Sequence, residues 1–263
     1  MLARTKTIAP GLLLSLFSSL SQAALAPPLQ HLQQAEIALF RTGTDLFMHR
    51  GEGRSAEQAA QVDRDLQALA SHVRALQQQA TSPLTQQALS NVPTLLDNFD
   101  QRVRQTLAYA PSEPDLPWEF NFEYSKAQRE LWSALQDTRN ALQQAQTDKL
   151  SAADQVLLEL PGKLQALATR YVARAYIGDI ETLAEQQQLY IHQDIDQLAK
   201  SVNQDLQSLS QLRPDDASQK ILAQINTRWK FIYARLLDYS SNMTPLMIER
   251  HSTEIVAQLL RLE

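Results

Sequence analysis

Hydrophobic residues recur at intervals of three and four positions through most of the chain after Pro27. Residues at these intervals share one face of an α-helix, so the pattern predicts amphipathic helices with one buried side. Pro93 and Pro161 fall inside two of the segments and predict either a kink or a new helix start at those points. The predicted helices cover about 28–49, 55–80, 84–109, 123–149, 151–177, 180–212, 217–239 and 246–262.

One stretch breaks the helical pattern. The sequence PSEPDLPWEFNF, residues 111–122, contains three prolines within seven positions. Because proline cannot donate a helical hydrogen bond, the stretch predicts a loop or linker. Its aromatic residues Trp118, Phe120 and Phe122 are expected to pack onto a neighbouring helix.

The composition favours a purely helical fold. Only 6 glycines and 6% aromatic residues occur in 263 residues, which argues against a sandwich or barrel rich in turns. Pro83 and Pro214 join long helices at matching places in the two halves, which favours two related four-helix units over one layer of eight helices. The predicted fold is all-α, with a cleaved signal peptide at 1–23 and tandem antiparallel four-helix bundles at 24–149 and 150–263. The seam from Ile191 to Leu209 has coiled-coil spacing, and either an intrachain bundle or a contact between two chains explains it.

The first residues have the features of a secretory signal. Arg4 and Lys6 precede the apolar run GLLLSLFSSL, and small residues follow up to Ala23. Cleavage after Ala23 would change the formal net charge from -5 to -7, because two cations and no acid are lost. The acidic chain is not expected to bind nucleic acid, and no later segment is apolar enough to insert into a membrane after processing. With no cysteine, the exported chain is expected to be periplasmic.

A helix in the second half carries three cations beside its hydrophobic seam. Lys163, Arg170 and Arg174 are spaced by seven and four positions, so they form one stripe along the helix. The seam that they flank consists of Leu160, Leu164, Leu167 and Tyr171. Two interpretations stay open. The cations either pair with acids on a neighbouring helix or meet water, or they face a groove and hold a small anion.

The same helix also resembles a known family. The segment GKLQALATRYVARAY precedes a long Gln-rich helix and a helix with a central Trp229. This arrangement resembles the PilJ-like sensor domain, the extracytoplasmic helical module of type IV pilus methyl-accepting chemotaxis transducers and of nitrate/nitrite sensors. The resemblance covers mainly residues 151–263. The family pattern of Gly, basic residue, Leu and Arg is matched by Gly162, Lys163, Leu167 and Arg170.

Two positions inside that motif differ from the family. Gln165 and Ala166 stand where the family often has a further Arg and a Met. The resemblance implies a helical bundle that binds a small ligand or a protein partner. If the ligand is a small anion, the candidate binding residues are Lys163, Arg170 and Arg174, and charge reversal at Arg170 is expected to abolish thermal stabilisation by the ligand.

No catalytic or metal-binding pattern is present in the sequence. Nucleophile, phosphate-loop and dinucleotide motifs are absent, as is the Glu-x-x-His pattern of di-iron bundles. His192 with Asp196, and His251 with Glu254, would each supply only two ligands from a single helix, which do not make a site. The sequence therefore predicts a protein that is not an enzyme, with no metal and no cofactor.

The leading functional hypothesis is an exported, non-enzymatic, sensor-like helical module. Its expected partners are a small anionic ligand and a membrane receptor or a protein of a pilus system. The alternative is a periplasmic helical adaptor or structural protein that acts only through protein–protein contacts.

Overall fold

The computed structural model describes residues 25–109, 118–147, 149–177, 194–238 and 243–263. Regular structure in these ranges is entirely helical, which confirms the predicted all-α class. The predicted signal peptide, residues 110–117 and the first part of the predicted helix 180–212 lie outside the described residues. The helices are α1 (Pro27–Gly51), α2 (Ala56–Gln79), α3 (Pro83–Leu89), α4 (Val92–Ala108), α5 (Trp118–Ala145), α6 (Ala152–Ile177), α7 (Ile195–Leu212), α8 (Asp216–Leu237) and α9 (Pro245–Leu259), which is followed by a 3-10 turn (Leu260–Leu262).

Helix α1 is buried on most sides because it packs against α2, α5 and α6. Prolines occupy its first turn, where their fixed backbone angle suits a helix and no N–H partner is needed. After α1, Gly53 adopts a φ of 91°, a conformation that glycine tolerates and that turns the chain into α2. Ser55 then caps α2 by accepting a hydrogen bond from the Gln58 N–H at 3.2 Å.

The segment predicted as one helix over 84–109 forms two helices. Helix α3 begins at Pro83, after Ser82, whose hydroxyl accepts a hydrogen bond from the Thr85 N–H at 3.0 Å. The chain turns at 90–91, and α4 starts with Pro93 in its first turn. Since the first N–H groups of a helix have no partner within the helix, Pro93 marks a restart and not a kink.

The loop predicted over 111–122 is wrong for its last five residues, because α5 begins at Trp118. A proline directly before a helix, such as Pro117, does not interrupt it, since the first-turn N–H groups are unpaired in any case. The expected packing of the aromatic residues is confirmed for Phe120, whose ring centroid lies 5.4 Å from that of Tyr109 at the end of α4.

Helix α6 continues through Pro161 from Ala152 to Ile177. Because proline has no N–H, the carbonyl of Leu157, four positions earlier, lacks its usual helical donor. Gln33 of α1 supplies the replacement: its Nε2 donates to the Leu157 oxygen at 2.8 Å and to Glu263 Oε1 at 2.6 Å. This amide therefore ties the proline turn of α6 to α1 and to the last residue of the chain.

Buried hydrophobic side chains form two clusters, one mainly from α1–α5 and one mainly from α6–α9. Helices α1 and α6 pack against each other and contribute to both, since Ile37 belongs to the second cluster and Leu158 to the first. The two four-helix bundles, with a boundary at 149–150, stay a prediction. The predicted seams are confirmed in the described ranges by the burial of Leu160, Leu164, Leu167 and Tyr171 on α6 and of Ile195, Leu198, Val202, Leu206 and Leu209 on α7.

Candidate functional site

A cavity of about 280 Å³ lies where α5, α6 and α7 meet. Its wall is mainly polar, with amides and an arginine from α5, a lysine and a glutamate from α6, and a serine and a leucine from α7. The lining residues are Gln136, Arg139, Asn140, Gln143, Glu159, Lys163, Leu198 and Ser201. A larger recess of about 770 Å³ adjoins it and shares Asn140 and Gln143, so the cavity continues toward the connection between α5 and α6.

Lys163 is the predicted site residue that lines this cavity. Its Nζ donates to Asp205 Oδ2 at 2.6 Å and to Ser201 Oγ at 3.3 Å, both on α7. The ion pair is partly shielded from water, with 19% of the Lys163 side chain and 28% of the Asp205 side chain exposed. The predicted pairing with an acid on a neighbouring helix is therefore confirmed for Lys163. The same residue also lines the cavity.

Arg139 brings a second cation to the cavity from α5. Its Nη2 donates to Glu36 Oε2 on α1, and Gln136 Nε2 donates to Glu36 Oε1 at 2.7 Å. The side chains are deeply buried, with 8% of Arg139 and 1% of Glu36 exposed. Gly162 of α6 allows this approach, because a Cβ at that position would lie 3.3 Å from Glu36 Oε2. The motif glycine thus lies against the buried ion pair.

The pKa of Glu36 lies close to neutral pH. Burial raises its pKa from 4.5 to about 7, although the positive charge of Arg139 lowers it and the negative charge of Glu159 raises it. Near neutral pH a large fraction of Glu36 is therefore protonated. The charge of Arg139 is then only partly neutralised by its partner, and it adds a positive potential to the cavity wall.

The guanidinium of Arg139 also retains an unused donor. Its Nε is buried and has no hydrogen-bond partner among the described residues. A buried donor without a partner costs free energy, and a guanidinium is suited to a carboxylate. Arg139 and Lys163 both line the cavity, so their positive charges favour a negatively charged group there.

The structure does not bring the three predicted cations to one small site. Arg170 and Arg174 are half-buried, and the described lining of the cavity does not include them. They lie seven and eleven positions after Lys163, which is about 10 Å and about 16 Å along the helix axis. One small ligand at Lys163 cannot reach Arg174. Ligand binding by any of the three residues stays a prediction.

Arg139 and Glu36 are not among the site residues predicted from the sequence. Each lies four positions after one leucine and three before another, on the hydrophobic stripe of its helix. The flanking leucines are Leu32 and Leu39 for Glu36, and Leu135 and Leu142 for Arg139. A charged side chain on a hydrophobic stripe is buried when the helix packs, and a buried charge needs a partner of opposite sign. Opposite charges at equivalent positions on two stripes therefore predict a buried ion pair.

Two acidic side chains, Asp45 on α1 and Asp65 on α2, lie between these helices. Burial and a hydrogen bond to Asp65 raise the pKa of Asp45 to about 9. Within the described ranges, no group of three or more His, Asp and Glu side chains could hold a metal ion.

A scan against protein-family models found no family that matches this chain. Searches of curated proteins and of solved structures found no similar protein. The resemblance to the PilJ-like sensor domain stays a prediction from the sequence pattern. In the described part of the chain, no helix combines the length and the apolar composition needed to cross a bilayer.

Proposed function

We propose that this protein is a non-enzymatic, sensor-like module that binds a small zwitterionic molecule of the amino-acid class in the cavity between α5, α6 and α7. The observation that carries the proposal is the pair of cations that line this cavity, Arg139 on α5 and Lys163 on α6. After export, such a module would report ligand occupancy to a membrane receptor or to a protein of a pilus system.

The charges around the cavity favour a ligand that carries both signs. Arg139 and Lys163 are positive, but Glu159 also lines the wall, and Asp205 and Glu36 lie behind the two cations as their partners. A plain anion such as nitrate would meet the carboxylate of Glu159 as well as the cations, and the charge of Lys163 is already paired with Asp205, so the anion would gain little. A zwitterion can direct its carboxylate to the cations and its ammonium to Glu159.

The size and the remaining wall agree with a small polar ligand. A volume of about 280 Å³ lies just below the roughly 300–1,000 Å³ of pockets for drug-sized molecules. The amides of Gln136, Asn140 and Gln143 offer both donors and acceptors, and Ser201 offers a hydroxyl. These groups suit the polar atoms of a single metabolite.

The proposal is tested by thermal unfolding in the presence of single amino acids, dicarboxylic acids and nitrate. A ligand at about one hundred times its Kd adds roughly 3 kcal/mol to the stability of the folded state, so binding raises the unfolding midpoint. At least one amino acid is expected to raise the midpoint of the parent protein, and nitrate is not.

Three variants locate the site. Lys163→Gln and Arg139→Gln are expected to lose the stabilisation by the ligand, and Arg170→Gln is the matched control that keeps it. Lys163 is partly exposed, so its variant is expected to fold even if the Arg139 variant does not. Loss of stabilisation in Arg170→Gln alone would move the site to the stripe predicted from the sequence. If no small molecule stabilises the parent, and a periplasmic pull-down recovers a protein partner, the adaptor function replaces this proposal.

A further inference from the structure

Two histidines on different helices face each other at the end of the α1–α2 hairpin that is remote from its turn. The Nδ1 atoms of His31 on α1 and His72 on α2 lie 3.2 Å apart, and their ring centroids lie 5.5 Å apart. Both side chains are half-buried. A hydrogen bond at this distance needs one Nδ1–H and one Nδ1 lone pair, so a change of tautomer in one ring directs two lone pairs at the same gap.

The separation of the two nitrogens matches a metal chelate. A tetrahedral Zn²⁺ ion binds imidazole nitrogens at about 2.0–2.1 Å, which places two such nitrogens about 3.3 Å apart. The nitrogens of His31 and His72 are already at 3.2 Å, so an ion can enter between them with little movement of either helix.

Metal ions bind the neutral form of imidazole. Among the described residues, neither ring has a carboxylate hydrogen-bonded to it that would favour the protonated form. On metal binding, the Nδ1 proton of one ring moves to its own Nε2, so no net proton is released at neutral pH.

We propose that His31 and His72 form a two-nitrogen site for a divalent transition-metal ion, such as Cu²⁺ or Zn²⁺, with water completing the coordination shell. Imidazole ligands suit these ions and bind Cu²⁺ more tightly than Zn²⁺, whereas Mg²⁺ and Ca²⁺ require oxygen ligands. The ion would connect α1 to α2 at the open end of the hairpin and raise the thermal stability of the protein.

The site is tested by calorimetric titration of the full chain, free of any histidine tag and pretreated with a chelator. One equivalent of Cu²⁺ or Zn²⁺ is expected to bind, with Cu²⁺ tighter and with no binding of Mg²⁺. His72→Gln and His31→Gln are each expected to weaken binding by more than the roughly tenfold loss that removal of an outer-shell partner causes. His251→Gln is the matched control, because that ring packs on Phe231 without a second histidine, and its affinity is expected to equal that of the parent.

A nuclear magnetic resonance measurement on the parent protein tests the metal site without any variant that could fail to fold. With Zn²⁺, the imidazole ¹⁵N resonances of His31 and His72 are expected to shift at Nδ1, while those of His251 stay in place. If the two rings form only a hydrogen-bonded pair, neither Nδ1 resonance shifts and His72→Gln binds as much metal as the parent. Either of these results, or an equal loss in His251→Gln, would overturn the proposal.

Discussion

Replacing Arg139 with methionine is expected to destabilise the protein to an extent that depends on pH. Arg139 donates a hydrogen bond to Glu36, and both side chains are more than nine-tenths buried. Methionine fills most of the space of the arginine stem but removes the positive charge. Glu36 then keeps its hydrogen bond from Gln136 but has lost its charged partner.

The magnitude follows from the ionisation of Glu36. With Arg139 present, burial already raises the pKa of this carboxyl group from 4.5 to about 7, which corresponds to about 3 kcal/mol. The folded protein therefore binds more protons than the unfolded chain between those values. The contribution to stability is fully present below pH 4.5 and is lost as the pH rises through 7.

Removing Arg139 raises the pKa of Glu36 further, so the loss of stability extends to higher pH. Breaking a buried ion pair costs about 3–5 kcal/mol when the remaining charge stays ionised. At pH 5, however, Glu36 is protonated in both folded proteins, and no buried negative charge is left behind. Above pH 7 the variant avoids that cost by keeping Glu36 protonated, so the destabilisation at pH 8 is expected to exceed that at pH 5 by about 1 kcal/mol, which corresponds to the one pH unit between the parent pKa and pH 8.

Urea unfolding followed by circular dichroism at the two pH values measures this difference. All other titrating groups are common to the parent and the variant, so the pH dependence of the difference reports on Glu36. In the background of Glu36→Gln, which cannot ionise, Arg139→Met is expected to have the same effect at both pH values. If Arg139→Met alone destabilises the protein equally at pH 5 and pH 8, Arg139 and Glu36 do not form a buried ion pair that titrates in this range.

Two further predictions concern α1. Gly43→Ala is expected to destabilise the protein by about 1–3 kcal/mol in urea unfolding, because a Cβ would lie 2.4 Å from the hydroxyl of the buried Tyr124. Asp45→Asn is expected to raise the thermal midpoint at pH 8 and to leave it unchanged near pH 4. Burial and Asp65 raise the pKa of Asp45 from 3.8 to about 9, so stability from this group is present below 3.8 and falls as the pH rises toward 9.

Each of these two predictions has a matched control. Ala60→Gly on the exposed face of α2 is expected to cost about 1 kcal/mol from helix propensity alone. If Gly43→Ala instead stabilises the protein by a similar amount, α1 does not pack closely against α5 at this position. Asp63→Asn removes the same charge from a partly exposed position beside Arg104. An equal rise of the midpoint in this variant would assign the effect of Asp45→Asn to net charge and not to burial.

Periodicity predicted the fold class because the burial of an apolar stripe is a local property of each helix. The seams of α6 and α7 could be predicted in this way. The start of α5 could not, since a proline before a helix and a proline in a loop look alike in sequence. Arg170 and Lys163 have similar angular positions around α6, so the sequence pattern predicts that they bind one ligand together. Whether one small ligand can contact both depends on their separation along the helix axis.

Polar contacts of α1 with α6 and with α5, and not leucine packing, bring Arg139 to the cavity. A shift of one helical turn, about 5.4 Å, replaces one leucine contact by another and costs a hydrophobic seam little. The same shift would separate Gln33 from the Leu157 carbonyl and Glu36 from Arg139. Each buried polar group left without a partner costs about 1–3 kcal/mol, and charged groups cost more. The helices therefore have one favourable register, and in that register Arg139 lines the cavity beside Lys163.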